Sequence, residues 1–212
     1  MTEIGFLLYP RLTQLDLTGP WEVLTRGPDA RCHLIWKTTD LLHADSGLPL
    51  APTCTFEDAP DLDVLVVPGG SAGTRAVMAD EAVLAWLRGQ GRTARYVASV
   101  CTGALILGAA GLLDGYRATT HWSSLHELEP FGAIATPGRV VRDRNRFTGG
   151  GVTAGIDFGL TLAAELWGET LAQAIQLGIE YAPAPPFDAG TPETAPPEVV
   201  ALVEAYFEAN AS

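Results

Sequence analysis

Residues 96–113 read YVASVCTGALILGAAGLL. Five residues of strand character, Tyr96 to Val100, give way to an apolar segment of helical length, Gly103 to Leu113, with only Cys101 and Thr102 between them. A strand that passes into a helix with almost no loop is a building step of a parallel α/β sheet. The residue at the bend is held on a tight, strained corner with its side chain exposed at the top of the sheet, the arrangement called a nucleophile elbow. Cys101 occupies that corner. A helix beginning at Gly103 directs its positive end at the sulfur, which is expected to favour thiolate over thiol and lower its pKa.

The same alternation extends along the chain in both directions. Ile4 to Tyr9, His33 to Thr38 and Asp63 to Val67 are strand candidates, and Gly19-Pro20 is expected to open a helix through Leu24. Glu81 to Gly89, Ala154 to Trp167 and Glu169 to Tyr181 have helical spacing. Arg117 to Thr120, Arg139 to Val141 and Asn145 to Thr148 read as short strands. The pattern predicts an α/β sandwich with a mostly parallel central sheet and helices on both faces. Pro183, Pro185, Pro186, Pro192, Pro196 and Pro197 then exclude regular structure, and Glu198 to Asn210 resumes as an amphipathic helix. Residues 1–181 are therefore expected to form the domain, and 182–212 an arm docked on it or on a second subunit.

The balance of 13 Lys+Arg against 25 Asp+Glu gives a net charge of −12, which disfavours nucleic acid as a partner. The arginines from Arg139 to Arg146 are interrupted by Asp143 and read as a solvated turn between strands. With 47% hydrophobic and 18% charged residues in 212, a self-sufficient core is expected without disulfide or metal. Cys32, Cys54 and Cys101 are odd in number and lack CxxC spacing, and His33, His43 and His126 show no metal-ligand spacing. No metal and no cofactor is expected. The apolar run before Pro10 is too short for a leader or a membrane span, so a cytoplasmic location without membrane attachment is the expectation.

Ligands of a parallel sheet bind at the carboxyl ends of its strands, so Asp16 to Pro20, Pro68 to Ala72, Cys101 to Gly103 and Gly149 to Thr153 take priority. Asp16, expected between the first strand and its helix, shares that edge with Cys101 and is the candidate acid or base, ahead of Glu22. Backbone donors at Gly70 and Ser71 are expected beside the elbow as in an oxyanion hole, and the run Gly149-Gly150-Gly151 is expected to open a helix through Gly155, so that Gly150 and Gly151 bring free amides to the same edge. The loops lack the GK[ST] ending of a phosphate-binding loop, which disfavours nucleotides. His121, in the run Ala118 to Trp122, is either a second activator of the thiol or a histidine packed on Trp122. Cys32 and Cys54 have no comparable setting and read as inert.

These stretches together resemble the DJ-1/PfpI superfamily and, within it, the isonitrile (isocyanide) hydratases. The resemblance runs from Ile4 to Pro10 through QLDLTGPWEVL (14–24), DVLVVPGG (63–70), SVCTGALILGAAGLL (99–113), ATTHW (118–122) and FTGGGVTAGIDFGL (147–160) to EYAPAPPF (180–187). It implies a flavodoxin-like sandwich, a homodimer, and addition of water to R–N≡C to give an N-substituted formamide. On that resemblance Cys101 is the nucleophile, Asp16 the proton-transfer group, and Thr102 a pocket residue whose hydroxyl or amide holds substrate. Where protease-like members carry histidine after the cysteine this chain has Thr102, which argues against peptidase activity.

The implied chemistry suits these residues. Attack by Cys101 on the isocyanide carbon, with a proton from Asp16, gives a thioimidate; Asp16, left as carboxylate, then activates water. Two rival readings use the same elbow: a small-molecule sensor of the kind joined to a DNA-reading unit, for which too few residues follow the proline arm, and a redox-sensing or carbonyl-repair protein.

Overall fold

The structure is a computed structural model and describes residues 1–209. Asn210, the expected end of the last helix, lies outside them. In chain order the elements are β1 (Thr2–Leu7), α1 (Gln14–Leu24), β2 (Ala30–Trp36), β3 (Leu42–His43), β4 (Pro49–Leu50), β5 (Cys54–Thr55), β6 (Val64–Val67), α2 (Ser71–Met78), α3 (Glu81–Thr93), β7 (Tyr96–Val100) and α4 (Gly103–Ala109). There follow β8 (Arg117–Ala118), a 3₁₀ segment (Trp122–Phe131), β9 (Ile134–Ala135), β10 (Val140–Asp143), β11 (Arg146–Gly149), α5 (Ala154–Trp167), α6 (Glu169–Gly178) and α7 (Pro197–Ala209).

Seven strands form the central sheet in the order β10-β11-β7-β6-β1-β2-β5. Every neighbouring pair is parallel except the β10–β11 hairpin, which turns at Arg144-Asn145 within the arginine run read as a solvated turn. The inner strands are apolar on both faces: all four residues of β6 and all five of β7 are buried. Helices on each side of the sheet demand this, since burial of one such aliphatic side chain stabilises by about 1.5–3 kcal/mol. The helices α1 and α5 pack together on one face, and α2, α3 and α4 cover the other. The architecture is the α/β sandwich expected.

Local details depart from that expectation. The first helix starts at Gln14 rather than at Gly19-Pro20, so Asp16 sits in its first turn and Pro20 lies inside it. Proline favours a helix start, but here the buried residues Leu17, Pro20, Val23 and Leu24 dock as one stripe and override that preference. The helix α2 had no counterpart in the sequence reading: it is eight residues long, and only Gly73, Thr74 and Val77 are buried. The fourth helix stops at Ala109 rather than Leu113, and Arg117–Ala118 pairs with β9 outside the central sheet. The glycine run does not open α5, which begins at Ala154 after Thr153.

Carboxyl ends of β1, β6 and β7 lie side by side because Phe6 pairs with Val66 and Val66 with Ala98. The chain runs from β1 to β2 on one side and returns to β6 on the other, so the topological switch falls at β1, where ligands of open α/β sheets bind.

Candidate active site

Cys101 follows β7 directly and has φ +55, a left-handed conformation that costs a non-glycine residue of order 1 kcal/mol or more. Surrounding bonds hold it there. The Cys101 amide donates to the Gly149 and Gly150 carbonyls (3.0 and 2.8 Å), and the Cys101 carbonyl accepts from Thr120 Oγ1 (2.8 Å). The tight corner also depends on Gly103, where a Cβ would overlap the Val67 carbonyl. The strained elbow is as expected, but the residue is not exposed: 6% of its surface is accessible.

Asp16 is fully buried against it. Its Oδ2 accepts from the Gly69 amide (3.0 Å), whereas Oδ1 has no hydrogen-bond partner, and the Cys101 thiol lies beside the carboxyl. Burial pushes the Asp16 pKa up to about 8, opposed by the Gly69 amide and the thiol. The same burial, reinforced by the charge of Asp16, pushes the Cys101 thiol well above its ordinary value, and the Thr102 amide and hydroxyl only partly offset this. The expected thiolate is therefore corrected to a protonated pair. A helix of seven residues contributes less than the loss of water around a buried anion.

The other candidates are sorted by their hydrogen bonds. The Gly70 amide donates to Thr102 Oγ1 (3.0 Å), so it braces the elbow and is not an oxyanion donor. Ser71 opens α2 and is exposed. The Gly150 amide donates to the Arg139 carbonyl (2.9 Å), which corrects the expectation that it is free, while the Gly151 carbonyl accepts from Ala154. His121 lies over Gly151, where a Cβ would stand 3.4 Å from its Cδ2. Its ring packs on Trp122 and Phe207, Nδ1 bonds Ser123 Oγ (2.8 Å), and burial lowers its pKa, keeping it neutral. Glu22 is exposed and paired with Arg26. Cys32 is pushed up to about 12 by burial, which makes it inert. No cluster of metal-ligating side chains occurs among the described residues.

Gly69 was missed by the sequence reading. It supplies the Asp16 hydrogen bond, its carbonyl accepts from the Thr13 amide (2.9 Å), and a Cβ on it would come within 2.6–2.9 Å of Thr102 and Asp16. The double glycine after Pro68 marked the turn, but only the three-dimensional register separates the roles of Gly69 and Gly70. Two clefts beneath the proline arm are lined by residues such as Trp122, Phe187 and Val199, and neither is lined by Cys101 or Asp16.

Fold and site together define an α/β sandwich that holds a strained cysteine against a buried carboxyl. Residues 2–165 match the model of the DJ-1/PfpI family, and the chain belongs to that family. Isonitrile hydratase from Pseudomonas putida is 60% identical over 199 residues, covering 93% of this chain and 86% of its own. The HTH-type transcriptional regulator GbdR of Pseudomonas aeruginosa is 35% identical over 181 residues, of which this chain spans only 49% of the length. A crystal structure of a ThiJ/PfpI family protein from Pseudomonas syringae superposes with a TM-score of 0.95 at 49% identity, covering 99% of this chain and 88% of that one.

Proposed function

We propose that the chain is an isonitrile hydratase that adds water to R–N≡C and releases an N-substituted formamide. The observation that carries this reading is the buried Cys101 thiol against a carboxyl whose pKa of about 8 keeps it protonated at neutral pH. The 60% identity with the Pseudomonas putida enzyme supports it.

An isocyanide carbon takes a nucleophile and a proton at the same atom and has no leaving group, so a thiol beside an acid is suited to it. In the first step the sulfur bonds to carbon, Asp16 gives its proton to that carbon, and the thiol proton replaces it on the carboxyl. The product is the thioimidate R–N=CH–S–Cys101. Water then adds to the same carbon while Asp16 gives its proton to nitrogen and takes one from water. Finally the C–S bond breaks, the carboxyl receives the hydroxyl proton and returns one to sulfur, and R–NH–CHO leaves. One neutral carboxyl with two oxygens serves each step, so no separate carboxylate base is needed.

Cys101 is thus the nucleophile, Asp16 the proton carrier, and Thr102 supplies its amide near the sulfur. Gly151 and His121 line the same edge on the substrate side. A homodimer in the cytoplasm is part of the same proposal. Among the described residues no helix is long and apolar enough to cross a membrane. The arm supports the dimer, because Phe207 packs on its own domain while Phe187 and Leu202 are 78% and 71% exposed.

Turnover of a simple alkyl isocyanide measured beside that of methylglyoxal tests the assignment. Formamide formation that disappears in Cys101→Ala supports it, and methylglyoxal conversion without formamide would favour the carbonyl-repair reading.

A further inference from the structure

Behind the cysteine runs a line of hydroxyl groups that the steps above do not use. Thr102 Oγ1 lies 2.9 Å from Thr74 Oγ1, and Thr74 Oγ1 lies 3.3 Å from the Tyr9 hydroxyl. Tyr9 and Thr74 are buried, and they reach this spot from the chain after β1 and from α2. At the far end the Tyr9 hydroxyl donates to the Pro68 carbonyl (2.9 Å). At the near end Thr102 Oγ1 accepts from the Gly70 amide (3.0 Å) and donates to the Gly70 carbonyl (3.1 Å). Packing alone does not require this. Valine has the shape of threonine and phenylalanine that of tyrosine, and each buried hydroxyl is destabilising unless it is satisfied.

Each hydroxyl has one proton and two lone pairs, so the line can point in either direction. In one arrangement Tyr9 donates to Pro68 and Thr102 to Gly70. In the other Tyr9 donates to Thr74 and Thr74 to Thr102, which leaves the Thr102 proton to turn from the Gly70 carbonyl to the sulfur of the adjoining residue. No proton leaves its own oxygen, and every donor has an acceptor in both states. Burial raises the Tyr9 pKa, so its proton stays available.

We propose that Tyr9 and Thr74 are positioning residues that, acting through Thr102, direct a hydrogen bond onto the Cys101 sulfur whenever it carries negative charge. The inference rests on the reading of Cys101 as the nucleophile. Hydrogen bonds aligned in series strengthen one another in a low-dielectric interior. The acidic groups facing this region are Asp16 on α1, which opposes a thiolate once it is ionised, and Asp45 on the turn between β3 and β4, which faces Tyr9 and Asp16. The hydroxyl line and the Thr102 amide are the counterweight.

The test compares Thr74→Val, Thr74→Ser and Tyr9→Phe with the parent protein. It measures kcat and KM for a simple alkyl isocyanide, and the pH dependence of iodoacetamide alkylation read on the Cys101 peptide by mass spectrometry. Thr74→Val is expected to move the alkylation midpoint up by about one pH unit and lower kcat about tenfold, with KM within about threefold. Thr74→Ser restores both, and Tyr9→Phe shifts the midpoint in the same direction by about half as much. An unmoved midpoint in folded Thr74→Val, or an equal shift in Thr74→Ser, overturns the proposal. Should Thr74→Val fail to fold, an unmoved midpoint in Tyr9→Phe overturns it instead. A parent protein that turns over no isocyanide removes the proposed reaction, while the alkylation profile still decides the hydroxyl line.

Discussion

Asp16 enters the fold as a neutral carboxyl, and this gives pH two separate effects. Unfolded, it ionises near 3.8; folded, near 8. The folded state therefore binds one more proton between those values. The stability this supplies is fully present below the unfolded pKa and is lost as pH rises through the folded one. In chemical denaturation at about pH 5 and about pH 8, Asp16→Asn is expected to abolish a loss on the order of a few kcal/mol that the parent shows between the two. For catalysis the acid form is required, so kcat is expected to be level below about pH 8 and to fall about tenfold per unit above it. Asp16→Asn, which cannot carry the proton, lowers kcat by about 10²–10⁴ with the fold retained. At this scale the sequence was partly legible. Cys101 and Asp16 stand out because each follows a strand at one sheet edge, and Thr102 stands out only through the family resemblance. The sign of the thiol shift was not legible, because a helix start can be read from spacing whereas the burial that outweighs it cannot.

Elements place these residues through close backbone approach. The loop after β6 touches both α1 and the elbow at Gly69, and the first turn of α4 lies against Val67 and Pro68 at Gly103. Gly69→Ala is expected to lower kcat by at least about tenfold, because the new methyl group displaces either Thr102 or the Asp16 carboxyl. Gly103→Ala is expected to destabilise by about 2–4 kcal/mol in urea denaturation, since the Val67 backbone cannot yield as a flexible side chain would. The strands and long helices were readable because runs such as Val64–Val67 have no other stable role in a chain of this composition. The helix α2 was not, because Gly73 and Thr74 weaken its propensity and tertiary contacts alone hold it. For the same reason Gly70 and Gly150 were expected to be free donors: a glycine-rich loop announces backbone approach but not which partner arrives.

For the whole molecule, the arm links the site edge to the outer surface. Phe207 of α7 stands against His121 and Trp122, while Phe187 and Leu202 face outward. Light scattering is expected to give the mass of two chains, and charged substitutions at Phe187 and Leu202 together are expected to shift it toward one. An unchanged dimer in that double variant would place the contact elsewhere. The proline run made the arm visible in the sequence, but whether it folds back on its own domain depends on the ring contacts with His121 and Trp122.

The proposed hydration runs through a covalent bond between the Cys101 sulfur and the substrate carbon. Mass spectrometry of the protein quenched during turnover of an alkyl isocyanide measures that bond. The predicted result is an adduct on the Cys101 peptide heavier by the whole mass of the isocyanide, absent in Cys101→Ser and slower to form in Asp16→Asn, which lacks the proton that completes it. Formamide production at the parental rate by Cys101→Ser, with no adduct on the parent protein, would contradict it.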